Sequence, residues 1–247
     1  MFIIPTMTSP DSVVMALNPT WWLDARQVGG ASGGAVATWS DRSGNGRTAS
    51  QAAGARQPTI QHGVGGPVDV VRFDGGDCLR TAAIDLTTNV AVTLAAVADN
   101  RNGAFAAAII VESSASFSLN VGAMLLAYSV TILDDVEFGH QGNVGSEFKV
   151  TVAAQSGFRR LLMVSDFSQA AGSEVLPFAN NSAPATVDVI AANTGTSHGN
   201  HIFNVGSRND AASLGLTGDI AHVLLFRSAL SAAQRTALDD ALAGMGA

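Results

Sequence analysis

Trp39-Ser40-Asp41-Arg42-Ser43-Gly44-Asn45-Gly46 and, after a polar connection, Val70-Val71-Arg72-Phe73-Asp74-Gly75-Gly76-Asp77-Cys78-Leu79-Arg80-Thr81 are the stretch from which the fold of this chain is read. The first half is a strand end running into a tight turn: Asp41 and Ser43 can accept hydrogen bonds from backbone amides ahead of them. Gly44, Asn45 and Gly46 tolerate positive φ. The second half is a short apolar strand, stopped by an Asp-Gly-Gly turn and restarted at Leu79. Trp39 and Phe73 thus stand on strands flanked by turns, as the inner faces of a two-sheet sandwich require.

Outward from this stretch the two-residue period dominates. Val90, Val92, Leu94, Ala96 and Ala98 share one face, as do Phe117, Leu119 and Val121, and Met124, Leu126, Tyr128, Val130 and Ile132. Phe148, Val150 and Val152 alternate with Glu147, Lys149 and Thr151, which reads as a dry face against a wet one and hence as antiparallel sheet. Residues 106–111 and 160–164 are apolar on both faces and are expected at the centre of a sheet or against another subunit. Turn clusters at Asn100-Arg101-Asn102-Gly103, at residues 139–145, at Asn180-Asn181-Ser182 and at Asn193-Thr194-Gly195 favour a long meander over any βαβ arrangement.

Residues 218–226 read as a last strand, with Ile220, Leu224 and Phe226 on one side and Ala221, Val223 and Leu225 on the other. A helix over residues 231–243 follows. Ser231 and Gln234 form a capping box, Ala237, Leu238, Ala241 and Leu242 an apolar stripe, and Gly244 the C-terminal cap, so the helix should lie against the end of the sandwich. The expectation is an all-β, antiparallel, two-sheet jelly-roll sandwich over residues 19–247 with a short C-terminal α-helix. Residues 1–18, broken by Pro5 and Pro10, read as an extended N-terminal arm. Its apolar Phe2, Ile3, Ile4, Val13, Val14 and Met15 are covered either by its own domain or by a neighbouring subunit.

Composition narrows the functional classes. With 247 residues, 47% of them hydrophobic and 26 of them glycine, the chain can bury a large core and turn often. Net charge is −7 and the largest basic cluster is Arg159-Arg160, which argues against nucleic acid and against an anionic lipid surface as partners. The single cysteine, Cys78, leaves no intramolecular disulfide and is read as a small residue filling a strand end. No segment approaches the roughly 18 apolar residues of a membrane span, and the N-terminus lacks the charged and apolar regions of a signal peptide. Mean hydropathy of +0.26 suggests apolar strand faces buried between copies, hence a homo-oligomer.

Pro19-Thr20-Trp21-Trp22-Leu23-Asp24-Ala25, the Trp39 to Gly46 turn, Val71-Arg72-Phe73-Asp74-Gly75-Gly76-Asp77 and Phe203-Asn204-Val205-Gly206 follow one another in a definite order. Gly218-Asp219-Ile220-Ala221-His222-Val223 and the closing helix complete it. In that order they resemble a laminin G-like domain of the concanavalin A-like lectin/glucanase superfamily, over residues 19–243. The resemblance implies a jelly roll that binds glycans or proteins, with catalysis in some branches only. A lectin-like fold without an export signal fits a non-catalytic structural protein of a bacteriophage or phage-like particle. Such a protein, a decoration, fibre or tail-associated module, would be assembled in the host cytoplasm and released by lysis. It would contact other capsid or tail proteins through the arm and bind host-surface polysaccharide. The alternatives are a cellular carbohydrate-binding module and a glycoside hydrolase with a displaced carboxylate pair.

Glycosidases of this superfamily carry two glutamates around an aspartate on one strand face, because an acid and a nucleophile must flank one glycosidic bond. The four glutamates here, Glu112, Glu137, Glu147 and Glu174, are not so spaced; Asp134-Asp135-Val136-Glu137 comes nearest. No catalytic residue, cofactor or metal is therefore expected. His222 within an apolar strand reads as a core residue, and His198-Gly199-Asn200-His201 as a glycine loop lacking a third ligand. The Asp41 turn lacks the alternating carboxylates of a calcium loop. Residues 26–37 are glycine-rich but have no lysine or following helix to cradle phosphate. Trp21 and Trp22 point to opposite faces, one into the core and the other a sugar-stacking candidate. The loops at residues 139–145 and 196–200 gather glycine with hydrogen-bonding side chains, so His140, Gln141, Asn143, His198, Asn200 and His201 are the ligand-binding candidates. Trp39, Phe73 and Phe203 are the candidate core aromatics.

Overall fold

A computed structural model describes residues 9–64, 68–101, 107–129, 135–143, 145–151, 157–190 and 195–246, the side chains of residues 187–190 excepted. Among these, two antiparallel sheets face each other. The seven-stranded sheet runs Val175–Ala179, Arg159–Asp166, Ala91–Asn100, Thr217–Phe226, Val68–Asp74, Thr59–Val64. Its seventh strand, Trp21–Asp24, pairs residues 222–225 of Thr217–Phe226, beyond the part paired with Val68–Asp74. The nine-stranded sheet runs Thr186–Ile190, Ser146–Thr151, Val136–Gln141, Met124–Tyr128, Ala108–Ser113, Phe203–Val205, Leu79–Arg80, Ala49–Ser50, Thr38–Trp39. Four consecutive strands from Ala108 to Thr151 form the expected meander. The chain is an all-β sandwich.

The core lies between the sheets. Trp21, Phe73, Leu94, Met163 and Leu225 from one meet Trp39, Leu79, Leu126, Phe138 and Phe203 from the other, all fully buried or nearly so. Trp21 packs on Phe203 with ring centroids 5.2 Å apart. Asp41 anchors the Trp39 turn to the first strand: Oδ1 accepts from the amides of Trp22 (3.1 Å) and Ser43 (2.9 Å), Oδ2 from that of Arg47 (2.8 Å). Gly206, at φ +85°, leaves space for the Phe73 ring, which a Cβ there would meet at 2.1 Å.

A third layer covers the outer face of the seven-stranded sheet. Helix Ala232–Gly244 lies on that face and not at the end of the sandwich: Leu238, Ala241 and Leu242 pack with Ala95, Val97, Leu162, Val164 and Leu224. This explains the doubly apolar stretch at residues 160–164, which is dry on one side from the core and on the other from the helix. Trp22 belongs to the same layer, so neither indole of the pair is free to stack on a sugar. The capping box at Ser231 and Gln234 is present, but the helix continues through Gly244. The left-handed residue is Gly246 (φ 95°), because Met245 is drawn into the apolar layer.

Four further expectations change. The arm is not extended where it is described: Pro10–Ala16 is a helix capped by Ser9, with Val14 buried in the outer layer beside the C-terminal helix. Phe117–Leu119 is a 3-10 turn that buries Phe117 and leaves Leu119 80% exposed. In Thr217–Phe226 a bulge between Ile220 and His222 puts Ile220 on the core side with Val223 and Leu225, leaving Ala221, Leu224 and Phe226 outside. In Ser146–Thr151 the buried residues are Glu147, Lys149 and Thr151, while Phe148 and Val150 turn outward. Val130, Ile132, Val152 and the Asn193-Thr194 turn fall outside the described residues. None of the described helices is long and apolar enough to cross a membrane.

Charges hold the N-terminal helix to the sheet. Arg26 bonds Asp11 and Asp24 at 2.7 Å each, Arg42 bonds both of those carboxylates and lies over the Trp22 ring at 4.4 Å. His222 Nδ1 is 3.6 Å from Asp24 Oδ1 in the same cluster. Burial pushes His222 down to about 4, against the attraction of Asp24 and with the repulsion of Arg26 and Arg42. Burial alone would raise Asp24, but the Arg26 hydrogen bond and the surrounding positive charges outweigh it and hold the carboxyl below its usual range.

Two outcomes follow from this packing. Below its ordinary value of 6.5 the unfolded chain protonates His222 while the folded chain does not, so this stability is complete above pH 6.5 and is lost as pH falls toward 4. Asp24 adds its own loss only below about pH 3.8. The loss from His222 amounts to about 3 kcal/mol, and urea midpoints across pH 4 to 6.5 should show a slope lower by about one proton in His222→Gln. In the helix, Leu238→Ala should cost about 2–5 kcal/mol and Ser231→Ala about 1 kcal/mol, both read from urea unfolding.

Candidate functional site

The inverted face of Ser146–Thr151 creates a polar cluster inside the sandwich. Val136, Phe138 and His140 point inward from Val136–Gln141, and His140 stands opposite Glu147 across the ladder. From the facing sheet Ser165 points in along the same line as Leu161 and Met163. His140 Nδ1 is 2.7 Å from Ser165 Oγ, Ser165 Oγ is 2.8 Å from His198 Nε2, and His198 Nδ1 is 2.9 Å from the Asn89 carbonyl. His140 Nε2 is 3.3 Å from Glu174 Oε2. Phe167 stacks on His140 at 4.2 Å and tilts against His198 at 4.9 Å. Burial drives His140 down to about 3, helped by His198, and His198 down to about 4 despite its bond to the Asn89 carbonyl.

Glu147 clasps the turn that leads into Val175–Ala179. Its carboxylate accepts from the amides of Gly172 (2.7 Å), Val175 (2.9 Å) and Glu174 (3.4 Å). Lys149 Nζ lies 3.8 Å from Glu147 and donates to the Gly172 carbonyl at 2.7 Å. These charge-assisted bonds explain why the charged face turned inward: the other sheet offers it partners, which water would otherwise supply. One ligand atom each of His140, Glu147 and Glu174 falls within 4.8 Å of the others.

A second arrangement occupies the outer face of the nine-stranded sheet. Ile109, Leu125 and Ala127 form an apolar floor with Phe117, whose ring meets that of Phe148 at 4.9 Å and 45°. Phe148 can lie there because its cross-strand partner is Gly139, where a Cβ would sit 2.5 Å from the ring. Arg208 and Glu137 border the groove, which has a volume of about 270 Å³. Arg208 Nε donates to the buried Glu112 at 2.8 Å. Burial raises the Glu137 carboxyl, against a hydrogen bond from Ser129.

The six predicted ligand residues are placed differently from one another. His140 and His198 are buried side chains of the interior chain: strand Val136–Gln141 extends through the stretch read as a loop and carries His140, and His198 stands in the loop before Asn200–His201. Gln141 ends that strand, and Asn143 lies in an exposed turn beyond it. Asn200 and His201 form a short strand against Ile84–Asp85; Asn200 is exposed, and His201 Nε2 donates to the Val121 carbonyl at 2.8 Å. The two loops do meet, at Gly122, which donates to the Gln141 carbonyl and accepts from the Gly199 amide. Trp39, Phe73 and Phe203 are fully buried. Glu147, Glu174, Ser165 and Phe148 were missed. The only local signal was the Glu147-Phe148-Lys149 alternation, which reads equally well with either face inward.

No family model matches the chain, and no curated protein matches it. Among solved structures it is similar to Trypanosoma rangeli sialidase in complex with sialic acid, with a TM-score of 0.55 and 12% identity, over 92% of this chain and 33% of that one. It is also similar to the botulinum neurotoxin serotype D ligand binding domain in complex with N-acetylneuraminic acid, with a TM-score of 0.61 and 9% identity, over 92% and 52%. A third is the receptor binding domain of the botulinum neurotoxin C/D mosaic serotype, with a TM-score of 0.61 and 8% identity, over 90% and 51%. The chain thus spans between a third and about half the length of these proteins, and what they share with it is the fold. The expectation of a chain without catalytic function is corrected by the same finding, because the fold is shared with an enzyme, the sialidase. The glutamate spacing behind that expectation also fails on geometry, since Glu147 on its strand and Glu174 in the turn before Val175–Ala179 converge from distant parts of the chain. In fold, the chain is a β-sandwich similar to proteins solved with sialic acids.

Proposed function

We propose that this chain recognises carbohydrate on the outer face of its nine-stranded sheet. The groove beside Phe117 and Phe148 carries the proposal. Its rings and aliphatic floor match the C–H face of a pyranose, while Glu137 and Arg208 supply charged hydrogen-bond partners for the hydroxyls at the rim, with Arg208 held in place by the buried Glu112. A Glu137 carboxyl raised by burial is more easily protonated and then donates as well as accepts. The likeness of the fold to proteins solved with sialic acids supports a saccharide as the ligand class. A polar hollow of about 500 Å³ near Gln51, Arg80 and Asp210 has no aromatic surface and is the weaker candidate.

The wider proposal, a component of a phage or phage-like particle that attaches to host glycans, rests on the sequence resemblance; the comparisons bear on its glycan part alone. Mass spectrometry of purified particles decides it: absence of the chain removes the particle role and leaves the glycan role standing.

Glycan-array screening followed by calorimetry should find a saccharide bound with micromolar Kd. Phe148→Ala should weaken it about tenfold, as expected for the loss of one stacking contact of about 1.4 kcal/mol. Unchanged affinity in both Phe148→Ala and Arg208→Gln would place the ligand elsewhere. Release of free sugar in the same samples reads out cleavage.

A further inference from the structure

The buried imidazole chain has its proton positions set from one end. The Asn89 carbonyl only accepts, so His198 Nδ1 carries the proton that bonds it. His198 is neutral in this dry layer, its Nε2 accepts, and the Ser165 hydroxyl donates to it. The Ser165 oxygen then accepts from Nδ1–H of His140. This leaves Nε2 as the His140 nitrogen that faces Glu174 Oε2, 3.3 Å away. An imidazole nitrogen and a carboxylate oxygen at that distance stand as two ligands of one cation do.

The spacing suits a small divalent ion. Zinc bonds of about 2.0–2.2 Å to nitrogen and carboxylate oxygen separate tetrahedral ligands by about 3.4 Å. The His140 to Glu174 distance matches this, and Glu147, with all three ligand atoms within 4.8 Å, closes the site after a carboxylate shift of about 1 Å. We propose that His140 Nε2, Glu174 and Glu147 form a binding site for a zinc-type divalent cation, with Ser165, His198 and the Asn89 carbonyl holding His140 in the ligating tautomer. Two carboxylates and an imidazole nitrogen make an oxygen and nitrogen donor set of the kind zinc takes.

The test uses the whole chain, stripped with a chelator, dialysed against Zn²⁺ and measured for metal content. One zinc per chain is expected, with a Tm rise of roughly 5–10 °C at a hundredfold excess over Kd. Glu174→Gln should lose it and His201→Ala, at a half-buried histidine outside the cluster, should keep it. Should Glu174→Gln fail to fold, nitrogen-15 NMR of the wild-type histidines decides, since zinc should shift His140 Nε2 and leave His62 and His222 unmoved. Absence of retained zinc, retention undiminished in Glu174→Gln, or a His140 signal unmoved by zinc would each overturn the site. The last would mean that a protonated Glu174 simply donates to His140.

Discussion

Two adjacent indoles on one strand, both fully buried, set the terms for the rest of the molecule. Successive strand residues point to opposite faces, so Trp21 and Trp22 can both be dry only if the sheet is covered on both sides. The nine-stranded sheet covers one side and the two helices cover the other. The fold is therefore three layers deep, and the Asp11, Asp24, Arg26 and Arg42 ion pairs bind the outermost layer to the strand that needs it.

Far from the indoles, the sandwich is built on a different principle. Between Ser146–Thr151 and the turn leading into Val175–Ala179 the interior is polar, and hydrogen bonds to Glu147 and from Lys149 supply cohesion there. Such a layer is stable only when its donors and acceptors are matched, because buried polar groups without partners are costly. Glu147 meets that condition through three backbone amides, and the imidazoles through Ser165 and Asn89.

The two candidate sites share one strand pair. The ladder step that sets His140 opposite Glu147 inside sets Gly139 opposite Phe148 outside. A slip of one residue would send the histidine and glutamate to solvent and the phenylalanine into the interior, destroying both arrangements together. The charged clasp on the Gly172 turn thus fixes the register that shapes the outer groove.

How much of this was legible varies with the kind of interaction. Short-range patterns were sufficient for the strands around Val92–Ala98 in number order 92, 94, 96 and 98, for the Asp41 turn, for the Ser231 capping box and for the antiparallel meander, because each is decided by neighbours within a few residues. The sequence by itself determined an all-β sandwich with a closing helix. Tertiary structure decided which face of Ser146–Thr151 is buried, where the bulge in Thr217–Phe226 falls, that Pro10–Ala16 folds as a helix, and that Glu174 meets Glu147 and His140. A period of two marks alternation without saying which side is dry. That choice depends on what the opposite layer offers, a partner brought from elsewhere in the chain.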